Sequence, residues 1–104
     1  MKIRDPRDPL GRLVDIFSVY WFCDETYFLG LLKGYGGLMA YRATQVSMIS
    51  PEIDFQAIYF KNGIYHWALI KEKLLDDIIE RDEVAYKRFL EILKSEGHVD
   101  EEFY

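Results

Sequence analysis

Phe55-Gln56-Ala57-Ile58-Tyr59-Phe60, then Lys61-Asn62-Gly63, then Ile64-Tyr65-His66-Trp67-Ala68-Leu69 read as two β-prone apolar runs joined by a turn. Asn-Gly between such runs signals a hairpin, because a type I′ turn needs positive φ at both central residues. With Asn62 and Gly63 as those residues, Phe60 faces Tyr65, Tyr59 faces His66 and Ile58 faces Trp67. Phe60, Tyr65, Ile58 and Trp67 then share the face expected in the core, where each aromatic or β-branched cross-strand pair contributes about 0.2–1 kcal/mol. His66 falls opposite Tyr59 on the other face, within reach of a hydrogen bond, and reads as a structural histidine.

Working outward toward the amino terminus, Leu38 to Ile49 reads as one long strand closed by Ser50-Pro51, since proline cannot continue a ladder. Thr26-Tyr27-Phe28-Leu29-Gly30-Leu31-Leu32 has strand composition, and Lys33-Gly34-Tyr35-Gly36-Gly37 is a tight connection with Tyr35 at its tip. No helix N-terminus follows those glycines and no Lys-Ser/Thr comes after them, so they do not read as a phosphate cradle. Leu13 to Cys23 is ambiguous: Leu13, Ile16, Phe17, Tyr20 and Trp21 keep helical spacing, while the Val, Ile, Phe, Tyr and Trp content favours a strand. Strand is the reading adopted, with Cys23-Asp24-Glu25-Thr26 turning into the next one. Arg4-Asp5-Pro6-Arg7-Asp8-Pro9 repeats a three-residue unit, and residues 1–12 read as an extended, poorly packed arm.

Toward the carboxyl end the period changes from two to 3.6. Leu74, Leu75, Ile78 and Ile79 lie on one side of a helix and Asp76, Asp77 and Glu80 on the other. Extending that helix would put Asp82 in the apolar stripe of Tyr86, Phe89, Leu90 and Leu93, and burying a carboxylate unpaired is costly. A break at Arg81-Asp82 removes the conflict, with Asp82 as N-cap of a second helix running to about Glu96 and Gly97 stopping it. Residues 97–104 remain as an acidic tail, either frayed or docked on a partner. The predicted fold is α+β: an antiparallel meander of about five strands, then two amphipathic helices packed on one face.

The chain has 104 residues, a size suited to one domain spanning 1–104. It is half hydrophobic and 30% charged, the balance of a folded chain rather than a disordered one. No apolar run is long enough for a membrane span and no export pattern opens the chain, so a cytoplasmic location is expected. The single cysteine, Cys23, excludes an internal disulfide and reads as a buried thiol. The net charge of −5 is segregated. Residues 71–104 hold eleven acids against six bases, whereas residues 1–12 hold four bases against two acids. Such a field repels phosphates and steers basic proteins, which disfavours direct nucleic-acid binding.

Groups for chemistry are few beside seventeen aromatic residues. Neither His66 nor His98 has a ligand partner three or four residues away on a shared helix face, adjacent acids diverge, and no serine lies in a nucleophile elbow. No catalytic, metal or cofactor site is therefore assigned, and the chain reads as a binding protein rather than an enzyme.

The short meander ending in Tyr59-Phe60-Lys61-Asn62-Gly63-Ile64-Tyr65-His66-Trp67, the acidic helices, and Leu74-Leu75-Asp76-Asp77 followed by Arg81-Asp82 resemble the small, acidic, single-domain immunity proteins of bacteria. Those proteins are paired with secreted or contact-delivered toxins. The resemblance implies neutralisation of a cognate toxin, commonly a basic nuclease, by covering or distorting it. Tyr35, Asp76, Glu80, Asp100, Glu101, Glu102 and Tyr104 are the candidate partner contacts. The alternatives are a phage or housekeeping accessory protein that self-associates, as a homodimer for example, and a small hydrolase built on His66 and Tyr59.

Overall fold

The computed structural model describes residues 1–104 and makes Leu13–Phe22 a strand. In chain order the elements are β1 (Lys2–Arg4), β2 (Leu13–Phe22), β3 (Glu25–Leu31), β4 (Leu38–Arg42), a 3-10 turn (Ala43–Gln45) and β5 (Ser47–Ser50). They continue with β6 (Ala57–Phe60), β7 (Gly63–His66), α1 (Trp67–Lys71), α2 (Leu75–Ile79) and α3 (Glu83–Ser95). An antiparallel sheet followed by carboxyl-terminal helices is the α+β class expected. It has seven strands and three helices, more of each than predicted, and its connections exceed a simple meander.

The ten-residue β2 organises the sheet. On one side it pairs with β3; on the other, β1 covers Leu13–Asp15 and β7 covers Ser18–Tyr20. Between those two stretches the register with β3 slips: Ile16 faces Gly30 and Ser18 faces Leu29, so Phe17 is an inserted residue. A bulge of this kind changes which residues face which side. Val14 and Ile16 join one apolar cluster with Phe28 and Tyr41, whereas Phe17 points into the other. Beyond the bulge Val19 packs on the first cluster and Tyr20 on the second.

The expected long strand from Leu38 to Ile49 is two strands on opposite ends of the hydrogen-bonded order β4-β3-β2-β1-β5. Five strands spaced about 4.8 Å apart would set β4 and β5 roughly 19 Å from each other in a flat sheet. Only residues 43–46 connect them, three of which are coiled into the 3-10 turn. The sheet must therefore curl, and the cluster of Ile3, Val14, Ile16, Phe28 and Tyr41 fills its concave side. Gly30 is required there, since a Cβ would stand 2.5 Å from Val14 Cγ1 and 2.8 Å from Ile16 Cδ1.

The expected arm also needs correction. Lys2–Arg4 lies between β2 and β5, and Ile3 is fully buried. Residues 5–12 close a loop in which Asp5 accepts from Arg7, and Asp8 accepts from the Leu10 and Arg12 amides. The Arg12 guanidinium beside Asp8 holds that carboxyl down to about 2.

The hairpin is present with its register moved by two residues: Phe60 faces Gly63, Tyr59 faces Ile64, Ile58 faces Tyr65 and Ala57 faces His66. The reason is Gly63. It sits opposite Tyr20, where a Cβ would stand 2.6 Å from Tyr20 Cβ and 2.8 Å from the Val19 carbonyl oxygen. The glycine is thus needed inside β7, not in the turn. Lys61 takes the positive φ instead, at 54°. Phe60 is consequently 40% exposed rather than in the core, and Trp67 begins α1 rather than continuing the strand.

The helices cover the convex side, where Phe89, Leu93, Ile78 and Leu69 are fully buried against Phe17, Leu29, Leu31 and Tyr65. Asp82 caps α3 by accepting from the Ala85 amide at 2.9 Å, and Gly97 terminates it at φ 77°. The two shorter helices end in the same 6→1 pattern, Leu74 N–H to the Leu69 carbonyl and Asp82 N–H to the Asp77 carbonyl. Their left-handed positions are held by Lys73 and Arg81, with φ of 56° and 64°.

Candidate functional site

The glycine-rich connection after β3 is where the tail, a helix end and two predicted contact residues meet. Gly34 and Gly36 adopt φ of 87° and 80°, which lets the chain turn within a few residues. Gly37 passes so close to α2 that a Cβ would lie 3.1 Å from the Ile78 carbonyl oxygen. Arg81, just beyond α2, lays its guanidinium over the Tyr35 ring at 4.5 Å and donates to the Tyr35 carbonyl. Tyr35 is therefore half-buried against an arginine and is not the exposed tip that the flanking glycines suggested.

Residues 97–104 fold back onto this loop. Val99 and Phe103 pack against the helical core, and the Phe103 amide donates to the Asp100 carbonyl at 3.0 Å. The Gly34 amide donates to the Tyr104 carbonyl at 2.8 Å, and the Lys33 ammonium lies 5.2 Å from the centre of the Tyr104 ring. The tail is docked on its own domain, with Tyr104 still 65% exposed.

Of the predicted contacts, Tyr35 and Tyr104 are gathered at the loop, while Glu80 is exposed at the end of α2, next in sequence to Arg81. Asp100, Glu101 and Glu102 are exposed on the tail that leads to it. Asp76 instead lines a groove with Lys61 and Lys73. No ion pair within the chain uses Asp76, Asp77, Glu80, Asp100, Glu101 or Glu102. Arg81 and Lys33, which hold the two tyrosines in place, carried no signal beyond the predicted break at Arg81-Asp82.

A second constellation surrounds His66, which is fully buried instead of facing Tyr59 across a solvent face. Its Nδ1 accepts from the Ala68 amide at 3.1 Å, capping α1. With Nδ1 accepting, the ring proton is on Nε2, which donates to Glu96 Oε1 at 2.7 Å. Trp67 Nε1 donates to the other carboxylate oxygen, also at 2.7 Å. Burial pushes the His66 pKa below its ordinary value of 6.5, against the opposing pull of Glu96. Burial raises the Glu96 carboxyl, but the hydrogen bonds from Trp67 and His66 outweigh it and hold the pKa below 4.5.

Together with His98, whose Nε2 lies 3.7 Å from Glu96 Oε1, these residues place three ligand atoms within 4.8 Å of one another. An ion there would need the Nε2 lone pair of His66. Moving the proton to Nδ1 to free it would break the α1 cap, because metal-bound histidines donate through their other nitrogen and this one accepts. The arrangement suits a structural network that ties β7 and α1 to the end of α3. It also disfavours the hydrolase alternative: Tyr59 is 71% exposed and paired with Ile64, so His66 and Tyr59 form no dyad.

Cys23 is exposed in the β2–β3 turn with φ of 52°, contrary to the buried thiol expected. No helix is long and apolar enough to cross a membrane. Comparison with protein-family models, with curated proteins and with solved structures finds no match to this chain.

Proposed function

We propose that the chain is a protein-binding inhibitor of the immunity type, which neutralises a cognate basic bacterial toxin by direct binding in the cytoplasm. The observation that carries this reading is the set of six exposed carboxylates with no ion-pair partner within the chain, Asp76, Asp77 and Glu80 along α2 and at its end, and Asp100, Glu101 and Glu102 on the tail that docks on the loop holding Tyr35. Unpaired carboxylates raise the encounter rate with a cationic protein and set its register, while an exposed aromatic side chain on the same tail supplies desolvated contact area. Tyr104 fills that role at low ordering cost, since Gly34 and Lys33 already hold it.

Titration of the co-purifying protein at two salt concentrations tests the assignment. Replacing Asp100, Glu101 and Glu102 by Lys should weaken binding about tenfold or more and reduce its salt dependence. Unchanged affinity would remove the tail from the interface.

Self-association is the second reading, and it has its own support. β6 is an edge strand paired only with β7, and it leaves Tyr59 and Phe60 exposed, as are Trp21, whose amide donates to Asn62 of the β6–β7 turn, and Phe22. Light scattering separates the two readings, because a stable homodimer that recruits no other protein belongs to the second.

A further inference from the structure

Between the β6–β7 turn and helices α1 and α2 runs a groove of about 470 Å³, within the usual range of small-molecule sites. Phe60, Leu69 and Leu75 contribute to its apolar lining, and its charged residues are Lys61, Lys73 and Asp76. Neither lysine forms an ion pair within the chain, and Asp76 is paired with neither. Two unpaired ammonium groups on one groove run against the sign of a molecule of net charge −5.

Their backbone makes the placement more telling. Lys61 and Lys73 both adopt left-handed φ, 54° and 56°, where glycine or asparagine is the unstrained choice. Arg81 shares that conformation and its guanidinium is engaged by Tyr35. The Lys61 ammonium has only its neighbouring Phe60 ring, at 5.2 Å, and Lys73 has no comparable contact. The β6–β7 turn and the end of α1 account for the two conformations, yet each position carries a lysine where glycine would be unstrained, and both ammonium groups border the same groove.

We infer that this groove binds a small amphipathic carboxylate, an aliphatic or aromatic acid whose apolar body lies against Phe60, Leu69 and Leu75 and whose carboxylate meets Lys61 and Lys73. The inference is independent of the inhibitor reading and does not require a protein partner. Apolar contact supplies affinity, growing about fourfold per methylene at full burial. The two ammonium groups supply selectivity for an anion over the matching alcohol.

Titration of the whole chain with octanoate and with octanol, followed by backbone amide shifts, tests the site. Octanoate should shift the amides of residues 60–61, 69–70 and 73–76, and should bind at least tenfold more tightly than octanol. Lys73→Gly should weaken octanoate at least tenfold while raising Tm, because glycine relieves the left-handed strain, and octanol should be indifferent to it. Lys61→Gln and Lys73→Gln remove charge without altering the backbone preference to glycine's, and should weaken octanoate in the same way. No octanoate binding at millimolar concentration, equal affinity for octanol, shifts centred elsewhere, or full affinity in the lysine variants would overturn the assignment.

Discussion

His66 commits both ring nitrogens to the fold, one to the α1 cap and one to Glu96. A histidine whose folded pKa lies below its unfolded value binds fewer protons when folded, so its stabilising contribution is present above about 6.5 and declines as pH falls below it. Glu96, also shifted down, contributes above about 4.5 and loses that contribution as pH falls through its lower folded value. The urea midpoint should therefore fall from pH 7.5 to pH 5.5 and fall again below 4.5. A midpoint flat over the first interval would contradict the buried neutral histidine. Gly63 allows a second check at this scale. Alanine there would drive a Cβ into Tyr20 and the Val19 carbonyl oxygen, and should cost about 2–3 kcal/mol by urea denaturation. A loss under about 0.5 kcal/mol would show that β7 can move away from β2 freely.

Among the elements, α3 tests the capping argument most simply. Asp82→Ala should cost about 1 kcal/mol and Asp82→Asn much less, since asparagine keeps an acceptor for the Ala85 amide. Equal losses from the two would assign the aspartate a charge role instead. This helix was legible in the sequence because its ends carry the residues that helix ends demand, Asp82 and Gly97. The ends of α1 and α2 carry Lys73 and Arg81 where glycine would be expected, and α1 went unread inside an apolar run that looked like more strand. In β2 the helical spacing of Ile16, Phe17, Tyr20 and Trp21 came from the bulge, because one inserted residue in a period-two pattern mimics a step of three or four. The hairpin register failed for a tertiary reason. Asn62-Gly63 is a sound local turn signal, overridden by the close approach of Tyr20.

At the scale of the whole molecule, the curled sheet and its helices leave the acidic third of the chain exposed along α2 and the tail, as the charge partition of the sequence anticipated. The site was only partly legible. Carboxylates could be assigned to the outside by periodicity, but the clasp of Tyr35 by Arg81 and the docking of Tyr104 on Gly34 join residues 46 and 70 positions apart. Nothing in a linear pattern carries contacts of that range. The docked tail nevertheless makes the inhibitor account more specific, since binding should not have to order Tyr104 first. Co-purification of the tagged chain from its native host, alongside the variant with Asp100, Glu101 and Glu102 replaced by Lys, tests that account most directly. It predicts one basic protein recovered in stoichiometric amount with the native chain and lost with the variant. Recovery of no protein partner, or equal recovery with both chains, would contradict it.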